Sequence, residues 1–95
     1  MPITLRIASN TDPKDAAGAI AGQLRESGGV RLQAIGAAAT NQATKALALA
    51  GLYMKPEGRL VLSAVERCDV DVKGERRTGL RWKVIAVQVG EVVTP

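Results

Sequence analysis

Ile3, Leu5 and Ile7 alternate with Thr4 and Arg6, the period-two pattern of a half-buried strand. Ser9-Asn10-Thr11-Asp12 followed by Pro13 is a helix start: capping side chains, then a proline whose missing N–H costs nothing there. Ala16, Ala17, Ile20, Ala21 and Leu24 form one apolar stripe, and Gly28-Gly29 ends that helix. Gly18 and Gly22 within it are expected to let the helix approach the sheet closely. Val30, Leu32 and Ala34 predict a second strand with Arg31 and Gln33 on its other side. A second helix is predicted over 37–50, with Ala39, Ala43, Ala46, Leu47 and Ala50 inward and Gly51 just past its end. Thr40, Asn41, Thr44 and Lys45 make its polar stripe. Lys55-Pro56-Glu57-Gly58 reads as a turn.

From Arg59 the period drops to two and stays there. Leu60, Leu62, Ala64, Cys68, Val70 and Val72 share one parity, and Leu80, Trp82, Val84 and Ala86 form the apolar set of a return strand. Burying both sets together calls for a three-residue loop over 74–76, which sets Val70 opposite Leu80 and Cys68 opposite Trp82. On the outward side that register places Asp69 opposite Arg81 and Arg67 opposite Lys83, the latter a destabilising like-charge pair unless an anion intervenes.

The order strand, helix, strand, helix, hairpin implies an α/β fold of the α+β two-layer kind: a β-α-β-α-β-β chain with a four-stranded mixed sheet and both helices on one face. The other sheet face is then open, bearing Thr4, Arg6, Arg31, Gln33, Arg67, Arg81 and Lys83. Val61, Val65, Ile85 and Val87 are expected to share it, which points to partial cover by a second copy of the chain. With 95 residues, one domain spans 1–95, residues 88–95 forming a tail.

Composition narrows the chemistry. The hydrophobic fraction of 46% and charged fraction of 23% are ordinary for a globular chain. Phe is absent, so the core rests on Val, Leu, Ile and many Ala methyl groups. No apolar run approaches membrane-spanning length and nothing resembles an export signal, so no membrane partner is expected. Cys68 is the single cysteine, which fits a reducing, cytoplasmic compartment. Histidine is absent, which removes His-assisted nucleophiles and His-ligated metals. No glycine-rich phosphate loop appears. The chain is accordingly read as having no catalytic residue, no metal and no cofactor.

Net charge is +4, and residues 73–83 alone hold Lys73, Arg76, Arg77, Arg81 and Lys83 against Glu75. Such a concentration suits an anionic partner such as nucleic acid. Tyr53 and Trp82 are the only aromatics, and Trp82 has the buried parity. Base stacking is therefore not expected, and contacts should go to the phosphate backbone.

Several segments resemble the stage V sporulation protein S family. They are Ala34-Ile35-Gly36-Ala37 running through Asn41-Gln42-Ala43, Lys45-Ala46 and Ala50, then Ala17 to Gly22 with Leu24-Arg25-Glu26, and Gly74-Glu75 with Arg77-Thr78. The similarity runs from the first strand to about Val87. It implies a small cytosolic regulator linked to spore development, with an Alba-like fold shared by dimeric DNA- and RNA-binding proteins. It offers no catalytic residue to carry over. The loop after strand one, basic in the Alba-like pattern, holds only Lys14 between Asp12 and Asp15. The long hairpin matches the arm such proteins lay along a groove.

The expected interface thus comprises Lys73, Arg76, Arg77, Arg81, Lys83 and Arg67 on the hairpin, with Asn41, Gln42 and Lys45 on the second helix. The expected partners are DNA or RNA and a homodimer or higher oligomer. The alternative is a homo-oligomeric protein-interaction module in developmental signalling that does not touch nucleic acid.

Overall fold

The computed structural model describes residues 2–89. Strands β1 (Thr4–Ile7), β2 (Gly29–Ile35), β3 (Arg59–Val72) and β4 (Glu75–Gln88) alternate with helices α1 (Pro13–Ser27) and α2 (Ala37–Met54) in the order β1-α1-β2-α2-β3-β4. The spatial strand order is β1-β2-β4-β3, with β1 and β2 parallel and the other pairs antiparallel. This is the expected α+β fold with a four-stranded mixed sheet.

Helix α1 begins as its sequence dictates. Asp12 stands at the N-cap, where its Oδ1 accepts from the Lys14 amide at 2.9 Å, and Pro13 opens the first turn. The Gly28 amide closes the other end on the Leu24 carbonyl at 3.0 Å. Asp12→Ala is expected to cost about 1 kcal/mol and lower Tm by roughly 4–8 °C in a domain of this size, measurable by thermal circular dichroism. Helix α2 runs one turn further than its glycine suggested. Gly51 is an interior residue, because Met54 extends the Ala46 and Ala50 stripe and is fully buried. Lys55–Glu57 then wind as a single 3-10 turn.

The core lies between the helices and one sheet face. Ala16, Ala17, Ile20, Ala21 and Leu24 of α1 and Ala39, Ala43, Ala46, Ala50 and Met54 of α2 pack with Val30, Leu32 and Ala34 of β2 and Trp82 and Val84 of β4. Alanine dominates the helical side, so two helices sit close over a short sheet. Gly18 and Gly22 play no part in that approach. Both are exposed, and a Cβ at either would meet nothing within 4 Å, since they lie on the solvent side of the α1 stripe.

The hairpin departs from its expected register. The turn is the two residues Lys73 and Gly74, with φ of 53° and 78°. Positive φ at both central positions is the type I′ geometry that matches strand twist. It pairs Val72 with Glu75, Val70 with Arg77, Cys68 with Gly79, Arg67 with Leu80, Glu66 with Arg81 and Val65 with Trp82. The opposed Arg67 and Lys83 do not occur. Lys83 faces Ala64, and Asp69 faces Thr78 rather than Arg81. The two strands therefore contribute opposite parities to each sheet face. Leu60, Leu62, Ala64, Cys68, Val70 and Val72 join the open face, while Val61, Val65 and Arg67 move to the helix side. The physical reason is that β3 is an edge strand with no buried residue, so its apolar alternation has no core to point toward and the turn sets the register. Strand β4 also runs on to Gln88, so the tail begins later than expected; residues 90–95 lie outside those described.

Candidate nucleic-acid interface

The register decides which charges stand together. On the open face β2 presents Arg31 beside Lys83 and Gln33 beside Arg81, and β1 presents Thr4 beside Arg31 and Arg6 beside Gln33. Arg77 continues the row on β4 toward the turn. Arg6, Arg31, Arg77, Arg81 and Lys83 thus lie on one solvent-facing surface. In their midst is one carboxylate, Glu66, at 3.9 Å from Arg81 and 3.8 Å from Lys83. Both contacts are long and exposed, so they screen the cations without removing them from water. Glu75 is the other acidic residue of that parity, and it lies at the turn.

Two adjoining hollows occupy this surface. A shallow one of about 430 Å³ is lined by Thr4, Arg6, Arg31, Gln33, Glu66 and the two cations of β4. A deeper one of about 620 Å³ lies between the ends of β1 and β2 and the hairpin, with Ile35, Val70 and Val72 as apolar walls and Arg77 at the rim. Arg6 and Gln33 line both, so the two form one continuous trough.

The far side of the hairpin is different. Arg76 reaches Asp69 at 3.4 Å, Thr78 Oγ1 donates to Asp69 at 3.5 Å, and Arg67 donates to Thr78 at 3.3 Å. Arg67, Asp69, Asp71 and Arg76 together carry no net charge on this side. The hairpin therefore has a cationic face and a balanced one, a division hidden in the linear sequence. Of the residues expected at the interface, Arg77, Arg81 and Lys83 come together. Arg67 and Arg76 point the other way, and Lys73 stands at the turn between the two sides. Arg6 and Arg31 complete the group; their alternation with Leu5 and Leu32 was the signal that placed them on the open face.

Asn41, Gln42 and Lys45 lie on α2, in the helical layer, and do not join the trough. Gln42 Nε2 donates to the Thr11 carbonyl at 2.9 Å, tying α2 to the loop after β1. Thr40 and Thr44 hydroxyls bond back to the carbonyls of Gly36 and Thr40 at 2.9 and 2.8 Å, which leaves Asn41 and Lys45 as the exposed members of that stripe.

The sequence profile of the family described as stage V sporulation protein S matches residues 3–87, from just before β1 to the end of the sheet. The chain is a member of the stage V sporulation protein S family. That span covers both helices and the whole hairpin, so the trough, the α2 stripe and the turn all lie within the family's conserved extent. A link to sporulation comes with membership. Among the described residues of this family member no three Cys, Asp or Glu side chains converge as a metal site, and no helix is long and apolar enough to cross a membrane.

Proposed function

We propose that the chain is a non-enzymatic regulatory protein that binds DNA or RNA, as a homodimer, through phosphate contacts from the open sheet face and the hairpin. The observation that carries this reading is the sorting of Arg6, Arg31, Arg77, Arg81 and Lys83 onto one exposed surface against Glu66. A row of separate guanidinium and ammonium groups on a flat sheet suits a repeating polyanion better than a single small anion. Backbone contact is also what the aromatic positions leave available. Trp82 is 6% exposed in the core and Tyr53 lies on α2, away from the trough, so no ring is offered for base stacking.

Salt titration tests the reading. Five cations less one carboxylate correspond to about four neutralised phosphates, so binding to duplex DNA should weaken with a log–log slope near −3.6. Fluorescence anisotropy with a labelled duplex and a labelled single strand measures it. No binding at ~50 mM salt, or an affinity indifferent to salt, would overturn the proposal. The partner would then be sought among proteins, with Asn41→Ala and Lys45→Ala on α2 as the first variants to lose it.

A further inference from the structure

We propose that the free edge of β3 pairs antiparallel with β3 of a second copy, about a two-fold axis that passes beside Val65 and stands perpendicular to the sheet. The inference rests on the homodimer reading and specifies the surface that forms it.

Strand β3 is 14 residues long and hydrogen-bonds β4 along one side; no described strand lies on its other side. An edge of this length leaves a row of unpaired amides and carbonyls, which folded proteins usually shorten, bulge or cover. Here it is flanked by apolar side chains above and below. Leu60 and Leu62 on the open face are 44% and 43% exposed, and Val65 on the helix side is 57% exposed. Ile85, paired with Leu62 on β4, and Leu52 of α2 are exposed as well. Apolar exposure of this density along an unpaired strand marks a surface covered in the working assembly.

The occupant is identified by the self-complementarity of β3. A two-fold axis perpendicular to a sheet places each residue opposite one of the same parity, so both helical layers fall on the same side. Centred on Val65, it sets Leu62 opposite Cys68 and Leu60 opposite Val70 on the open face. On the helix side it sets Val65 against its own copy and Arg59 against Asp71 at both ends. Neither Arg59 nor Asp71 has an ion-pair partner among the described residues; Arg59 donates to the Leu24 carbonyl at 3.3 Å. The neighbouring registers are worse. Centring on Glu66 or Arg67 opposes two like charges, and centring on Ala64 puts Glu66 opposite Leu62. The product is an eight-stranded sheet with all four helices on one face and the cations of both copies on the other.

Sedimentation of the full chain and of Val65→Lys tests the inference. Two lysines meeting at the axis should weaken self-association at least ~100-fold, and Asp71→Arg, which opposes Arg59, should weaken it too. Because Val65 and Asp71 are exposed in the single chain, circular dichroism of both variants should match the parent. Val65→Cys in a Cys68→Ser background should form a disulfide-linked dimer with diamide, the two thiols giving up two protons and two electrons to the oxidant. A dimer that survives Val65→Lys and Asp71→Arg, and fails to cross-link at 65, overturns the edge pairing and leaves the homodimer reading standing. A parent chain that stays monomeric at ~100 μM overturns both.

Discussion

An Arg77→Ala/Arg81→Ala/Lys83→Ala variant is expected to bind duplex DNA about 500-fold more weakly than the parent at ~0.1 M salt. Each phosphate neutralised adds about 0.9 to the salt slope, and each such contact is worth a little under one decade between ~1 M and ~0.1 M salt. Three lost contacts thus reduce the slope by about 2.7 and the affinity by the same number of decades. The informative comparison is Arg67→Ala/Arg76→Ala, which removes two cations from the same hairpin. Arg76 already faces Asp69, and Arg67 lies among carboxylates on the balanced side. Their loss should change affinity by less than about tenfold. Anisotropy titrations at three salt concentrations separate the two cases. Equal losses in both variants would mean that the hairpin acts through its total charge, and the assignment of the open face would fall.

Gly79→Ala is expected to lower stability by about 1–3 kcal/mol, a Tm drop of roughly 5–20 °C. Gly79 is where the sheet narrows: it is the last β4 residue toward the turn that pairs with β2, facing Ile35, and it also pairs with Cys68 of β3. A Cβ there would lie 2.8 Å from the Ala34 carbonyl oxygen, 3.1 Å from Ile35 Cγ1 and 3.5 Å from Cys68 Sγ. The nearest obstacle is main chain within a paired strand, so it cannot swing aside as a side chain would. The close approach lets the hairpin leave the four-stranded sheet at the edge of the deeper hollow. Gly22→Ala supplies the opposite sign. It is exposed in mid-helix with open space about it, and alanine there should stabilise by about 0.5–1 kcal/mol. Thermal melts of the two variants should move in opposite directions, and a neutral Gly79→Ala would show that the strands there have room to give.

Much of the architecture was legible in the residues because each signal was local. The Asp12 cap and Pro13, the alanine stripes of both helices, and the alternation of β1 and β2 needed no knowledge of the remainder of the chain. The buried parity of β4 was equally plain, since Trp82 and Val84 have a helical layer to pack against. The errors share one origin, which is that a pattern was read without the partner that gives it meaning. Leu60 and Leu62 look like core positions, yet their strand lies at the sheet's edge and buries nothing. Gly18 and Gly22 look like a contact surface, yet the helix turns that side to solvent. Arg76 and Arg77 are neighbours in sequence and look equivalent, yet strand alternation sends them to opposite faces of the hairpin.

By itself the sequence determined the element order, the two-layer class, the composition of the core and the surplus of cations near the turn, because these follow from periodicity, capping and composition within each segment. Tertiary structure alone decided the hairpin register, and with it which cations share a face and which are offset by carboxylates. The physical reason is that a strand has two faces and shifts by whole residues. One step in the turn exchanges every side chain between them, and where no core prefers either face, only the backbone geometry of Lys73 and Gly74 makes the choice.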